Sequence, residues 1–391
     1  MTSRSSIVAA TIFEIVSVLV FIIQPGYVQA LVDLGGMSGA QAGYVASAEM
    51  IGYAATMILM TMLSHRLPWR PMLATFVALQ ASGTLACLVS GDANMLMAAR
   101  FVAGLGAGGL SSIGFTAIGM TRDPDRQFGF LIMWVLAYGA VGLFGLPSLL
   151  AVAGLHGFYM IVAGLTVMSL ALLRYLPTRG GSAYEAPADA VTIAVTGRLI
   201  ASVSIFVFFL GCGILWAYVS LIGDAFGLLS QDIATGLSLS QFSGVAGALA
   251  AGLIAARAGR VPSLVGGLLL SAVSAASILL GSHSALIFGL AVCAFNCGWN
   301  FAQPIFLSAA TGFDRRGRLV TQMVAAQSCG LALGPLVGAE IGGNAPGASL
   351  IFSVTILFIC SSLLIMVPFT EARRARRPDG TMPATLPLEV Q

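Results

Sequence analysis

The chain contains no lysine; all of its 18 basic residues are arginines. That absence removes whole chemistries. A P-loop nucleotide site needs a lysine against the phosphates, so a pump with its own ATP site is excluded. A retinal pigment held through a lysine Schiff base is excluded as well. Charge of either sign is scarce, at 8% of residues against 58% hydrophobic. A soluble chain of 391 residues must cover its surface with polar groups, and this one lacks them. Histidine is nearly absent too: His65, His156 and His283 stand alone at loop positions. No catalytic constellation is legible, and an enzyme is not expected.

The six cysteines (87, 212, 293, 297, 329 and 360) all fall inside apolar runs and read as small hydrophobes. Cys293 and Cys297, at i, i+4, have a metal reading by spacing, but no metal and no cofactor are expected. The first apolar run is too long for a signal-peptide core and carries Glu14, so a retained helix is expected there.

What the chain does contain is apolar stretches, at a mean hydropathy of +0.96. Each is long enough to cross a bilayer as a helix. The first six lie near 7–31, 40–63, 71–90, 94–118, 128–152 and 155–176. Six more lie near 199–223, 233–256, 262–282, 284–309, 319–344 and 347–369. Orientation follows from arginine. Arg4, Arg66, Arg70, Arg122, Arg126, Arg174, Arg179 and Arg198 all fall on one side of this pattern. Arg257, Arg260, Arg315, Arg316, Arg318, Arg373, Arg374, Arg376 and Arg377 continue it. The opposite connections carry Asp33, Asp92, His156, Asp224, Asp232 and His283, with no arginine. Basic loops stay in the cytoplasm, so both termini are expected there, in a multi-pass protein of a bacterial inner membrane. The net charge of +3 sits at helix ends and does not point to nucleic acid.

The chain also repeats itself. Arg66-Leu-Pro-Trp-Arg70-Pro71 corresponds to Arg257-Ala-Gly-Arg260-Val-Pro262, and Thr121-Arg-Asp-Pro-Asp-Arg126 to Thr311-Gly-Phe-Asp-Arg-Arg316. Two six-helix bundles in one orientation are therefore expected, over 1–176 and 198–370. The Gly, Ala and Pro-rich stretch 177–197 reads as a cytoplasmic linker, and 371–391 as a disordered cytoplasmic tail. One chain holds both halves, so a monomer suffices.

Three motifs give the chain a resemblance to the major facilitator superfamily over essentially its whole length. Gly252-Leu-Ile-Ala-Ala-Arg257-Ala-Gly259-Arg260 resembles the family's loop signature, with Ala256 at its acidic position. In the first half His65 replaces the acid and Pro68 the glycine, so that copy, with Arg66 and Arg70, is degenerate. Arg100-Phe-Val-Ala-Gly104-Leu-Gly106-Ala-Gly108-Gly109 resembles the fourth-helix motif. Gly330-Leu-Ala-Leu-Gly334-Pro335-Leu-Val-Gly338 resembles the glycine-proline motif, but in the eleventh helix rather than the fifth. In the fifth, Gly142-Leu-Phe-Gly145-Leu-Pro147 is a distorted version, which weakens the case for antiport. The resemblance implies an all-α fold of twelve helices, alternating access between two halves, and conformational roles for these arginines, glycines and Pro335.

Charged and polar residues inside the spans carry the functional expectations. Glu14 shares a helix face with Val18, Phe21 and Pro25, and its burial disfavours the ionised form, as a proton carrier requires. The competing reading is a wetted glutamate bonded to a neighbouring helix. Arg100, in the fourth span, needs an acidic partner or water, and Glu49 in the second is the partner at matching depth. The pair is either a fixed tie between helices or a site where protonation frees Arg100 for an anionic solute. In the tenth span Asn296, Asn300 and Gln303 recur at i, i+4 and i+7 beside Trp299, for solute or for interhelical bonds. Phe21, Gln24, Tyr53, Trp134, Tyr138, Trp216, Gln241 and Gln327 complete the candidate lining. The expectation is proton-coupled symport of a small organic solute, with an organic or aromatic anion among the candidates. Proton-driven export of drugs or metabolites is the second reading, and a non-transporting membrane sensor the third. Protons, one small solute and the lipid bilayer are the partners expected.

Overall fold

In an apolar span the backbone must satisfy its own hydrogen bonds, which leaves helices as the elements this sequence can form. The computed structural model describes residues 4–63, 68–121, 124–176, 193–281, 284–313, 318–342 and 347–376. The first span comes in three pieces, α1 (Arg4–Ser17), α2 (Leu19–Ile22) and α3 (Gln24–Asp33). There follow α4 (Gly39–Leu63), α5 (Trp69–Ala86), α6 (Ala93–Gly119) and α7 (Pro124–Met168). The second half holds α8 (Val195–Ala225), α9 (Ser230–Ala258), α10 (Arg260–Ser277), α11 (Ala285–Phe313), α12 (Arg318–Gly342) and α13 (Ala348–Arg376).

Nine helices among the described residues are long and apolar enough to cross a membrane. One of them, Arg126–Tyr175, folds back at Gly154, whose φ of 60° suits glycine alone, and so supplies the fifth and sixth spans. The broken first span and α4 bring the total to the expected twelve. Two boundaries differ from expectation. Helix α8 starts at Val195, inside the stretch read as linker, and α13 continues to Arg376, into the stretch read as tail. Residues 177–192 and 377–391 lie outside the described residues.

The first span breaks for a reason visible in sequence. Pro25 has no N–H to give to the carbonyl of Phe21, so a continuous helix cannot close there. The joints fall at Val18 (φ −107°, ψ 14°) and Ile23 (φ −98°, ψ 14°). The amide of Ile23 turns to Phe21 O, which loosens the regular pairing of the turn that begins at Leu19.

Within the first half, α6 packs on α1, α4 and α5; in the second, α8 packs on α12 and α13, and α9 on α11. The halves meet along α4 with α12, α7 with α9, and α3 with α8. Small residues set these distances. A Cβ at Gly104 would run into the backbone oxygen of Glu49, and one at Gly108 into that of Tyr53. A Cβ at Gly334 would stand 2.6 Å from the Cα of Gly213, so α12 and α8 approach on glycine too. Close backbone contact of this kind replaces the hydrophobic drive that lipid removes.

Gly104→Leu is therefore expected to cost at least about 1–3 kcal/mol of overpacking and to lower the thermal midpoint in detergent. At Gly145 nothing stands within 4 Å of a built Cβ. Gly145→Ala is expected to hold or raise the midpoint through helix propensity. Equal midpoints for the two variants would remove the close-approach account of α6.

Candidate solute site between the halves

Three charged side chains are buried among the described residues, Glu14, Glu49 and Arg100, and all belong to the first half. Arg100 is 1% exposed. Its Nε donates to Glu49 Oε2 at 3.1 Å and its Nη2 pairs with Glu49 Oε1. The guanidinium carbon sits 5.5 Å from the centre of the Tyr27 ring, whose hydroxyl meets that of Tyr159 at 3.1 Å. Gly104, one turn beyond Arg100, rests on the backbone of Glu49 itself, so the glycine stripe also sets the ion pair. One guanidinium nitrogen, Nη1, is buried without a partner.

Glu14 forms a second buried network beside the first. Its Oε1 accepts from Ser111 Oγ at 3.0 Å, and Ser111 Oγ lies 2.7 Å from the Tyr53 hydroxyl. The other oxygen, Oε2, is buried without a partner. Tyr53 stands one helical turn from Glu49 on α4, so both networks are carried by α4 and α6.

The aromatic and amide candidates gather instead around the break in the first span. Trp216 Nε1, from the second half, donates at 3.1 Å to the carbonyl of Phe21, which also receives the Ile23 amide in place of a Pro25 N–H. Tyr138 on α7 donates to the carbonyl of Leu19 at 2.7 Å. Both bonds go to carbonyls whose regular helical pairing the break disturbs. Trp299 packs edge-on to Trp216 with ring centres 6.1 Å apart. Gln241 and Ile22 both lie over Gly139, where a built Cβ would stand 2.9 Å from Gln241 Oε1. Gln24 begins α3 immediately after the second joint and is 2% exposed.

Further bonds join the halves from this level to the arginine-free ends. Ser238 Oγ donates to Ala140 O at 2.8 Å, the Tyr44 hydroxyl to Glu340 Oε1 at 2.6 Å, and the Tyr218 hydroxyl to Gly39 O at 3.3 Å. Ser47 Oγ also donates to Ala332 O.

Several expected residues are placed elsewhere. Asn296 Nδ2 donates to Ser240 Oγ at 3.0 Å, and Asn300 Nδ2 to Asn296 Oδ1 at 2.6 Å. Both amides close on Gly244, so this pair is engaged in holding α11 against α9. Gln303 and Gln327 are half-buried, the latter with Oε1 unpartnered. Trp134 is 55% exposed and does not join the cluster, although Tyr138, one turn on, does. Among the motif residues, Arg70 donates to the carbonyls of Arg174 at 3.0 Å and Leu176 at 3.2 Å. Gly259 (φ 87°) turns the chain between α9 and α10, while Arg257 and Arg260 are exposed. Pro335 O shares the Tyr218 hydroxyl proton with Gly39 O, at 3.1 Å. Arg66 lies outside the described residues. The sequence alone did not single out Ser111, Ser240, Tyr27 or Tyr159, nor the break itself, although Pro25, read only as part of the Glu14 face, was the signal that could have located it.

Two six-helix halves joined around a broken span at mid-membrane define a membrane transporter of the two-repeat type. The chain belongs to the Major Facilitator Superfamily, whose family model matches residues 7–201 and again 201–389. Among solved structures it is similar to a point mutant of the nucleoside transporter NupG. The TM-score is 0.73 at 13% identity, over 93% of this chain and 99% of that one. It is also similar to the xylose transporter XylE from E. coli in a partially occluded inward-open conformation. There the TM-score is 0.71 at 12% identity, over 93% of this chain and 96% of that one. At such identities the likeness speaks for the fold. No curated protein sequence is a significant match.

Removing one partner of a buried ion pair leaves a bare charge and costs about 3–5 kcal/mol. Glu49→Gln and Arg100→Met are each expected to lower the thermal midpoint, and the double variant to recover most of the loss. A double variant as unstable as the sum of the singles would show that the two residues do not act as a pair.

Proposed function

We propose that the protein carries a small organic solute across a bacterial inner membrane by alternating access, coupled to protons in symport. The carrying observation is the broken first span, where a tryptophan from one half holds a backbone carbonyl of the other. Discontinuous helices at mid-membrane place free backbone groups where a solute and a moving half can both reach them. Rocking of the halves would have to exchange the Trp216 to Phe21 bond for another partner.

Glu14 is the proposed proton carrier. It stands on the same broken span, one turn before the first joint, and Val18 N bonds to the backbone oxygen of Glu14 at 3.3 Å. Its unpartnered Oε2 offers the position for a proton. Glu49 and Arg100 serve this reading as a fixed tie, because the guanidinium already has its carboxylate and a ring face. The orientation follows the arginine pattern, with termini in the cytoplasm, and one chain supplies the complete site. A nucleoside transporter and a xylose transporter as neighbours in fold support a small polar solute.

The test is a solute panel in proteoliposomes under an imposed pH gradient, recording direction as well as identity. Wild-type protein is expected to accumulate a solute against its gradient. Glu14→Gln is expected to lose at least about tenfold of that accumulation while keeping solute exchange, a partition between driving force and binding. Unchanged uphill transport in Glu14→Gln would remove the proton role from Glu14, and export under the same gradient would replace symport with antiport.

A further inference from the structure

Around the break in the first span, three polar atoms are buried with no partner in the protein: Gln24 Oε1, Gln241 Nε2 and Trp299 Nε1. Their residues are 2%, 1% and 8% exposed. A buried amide or indole group without a partner is costly, and native structures leave few of them. These three come from α3, α9 and α11, so both halves of the molecule contribute. The tie between them is contiguous. Trp299 packs on Trp216, Trp216 bonds the backbone of Phe21, and Gln241 lies beside Ile22 over Gly139. The indole offers a donor, and each amide offers a donor and an acceptor whichever way its end group is turned.

Charge is what the cluster lacks. The buried carboxylates and the buried guanidinium all lie in the first-half networks, with Arg100 committed to Glu49 and Glu14 to Ser111. An ionised solute held by these three side chains would meet amides and indoles, while the neighbouring charges are engaged elsewhere, Arg100 behind Tyr27 with Glu49 and Glu14 with Ser111, in a region where an unpaired charge is expensive. Flat indole faces and edges favour a ring, and the unmet donors and acceptor favour a ring that carries both functions.

From this arrangement we infer that Gln24, Gln241 and Trp299 form the solute's polar contacts, and that the solute is an uncharged ring bearing hydrogen-bond donors and acceptors. The inference rests on the transport reading above and narrows it. Arg100 is not a ligand in it, which sets aside the anionic solute that the sequence suggested.

The experiment measures binding of three matched pairs to the full chain in detergent: nicotinamide and nicotinate, uracil and orotate, myo-inositol and myo-inositol 1-phosphate. At least one uncharged member is expected to bind, with its charged counterpart at least about tenfold weaker. Trp299→Phe keeps the ring and removes the N–H, and is expected to weaken that binding about threefold to tenfold with an unchanged thermal midpoint. Gln24→Met should act in the same direction. A charged member that binds as tightly as its neutral partner overturns the inference. So does failure of all three neutral rings, and so does wild-type affinity in both variants. Transport separates the two readings. A charged solute accumulated in proteoliposomes overturns the uncharged class and leaves the transport reading intact. A neutral ring that binds at these residues but never crosses the membrane does the reverse.

Discussion

A proline cannot donate a hydrogen bond, and inside a membrane a carbonyl left without one has no water to turn to. Pro25 imposes that constraint on the first span, and much of the site is organised around its consequences. The carbonyls of Leu19 and Phe21 are met by Tyr138 from within the first half and by Trp216 from the second. Trp216 brings Trp299 with it, and Gln24 and Gln241 flank the same turn. The break thus becomes a point where both halves meet.

The charged residues follow a different logic. Arg100 and Glu49 are held within the first half by a stripe of glycines, because Gly104 lets α6 rest on the backbone of Glu49. Glu14 is held through Ser111 on the next turns of the same helix. Keeping the buried charges on this one interface leaves the break in the first span surrounded by aromatic rings, amides and backbone oxygens, while carboxylates at the junction lie nearer its arginine-free end, as at Glu340. Under the proposed function, such a division would separate a proton-responsive element from one that recognises a neutral ring.

Parts of this arrangement were legible beforehand. The pairing of Arg100 with Glu49 was one of the readings open in the sequence, because a buried arginine needs an acid or water and Glu49 was the best candidate by depth. The engagement of Asn296 with Ser240, and of Asn300 with Asn296, was one of two readings, since amides at i, i+4 serve a neighbouring helix as well as a solute. Trp134 and Tyr138 share a helical face by spacing, yet Tyr138 reaches the broken span and Trp134 is exposed. Periodicity places side chains on a face but does not say which neighbour that face meets. Ser111 and Ser240 went unnoticed because serines are frequent in such spans, and their roles depend on which acid or amide lies opposite.

The sequence by itself determined the class: no lysine, few charges, apolar runs of bilayer length, arginine on alternate connections, and an internal repeat. These are properties of single segments and of their order, and the bilayer acts on segments one at a time. Tertiary structure decided which polar groups find partners. Arg100 and Glu49 close on each other, Glu14 keeps one oxygen open, and Gln24, Gln241 and Trp299 are left with unmet bonds around the broken helix. Hydrogen bonding is short-ranged and pairwise, so whether a buried group is satisfied depends on residues distant in sequence that only the folded chain brings near.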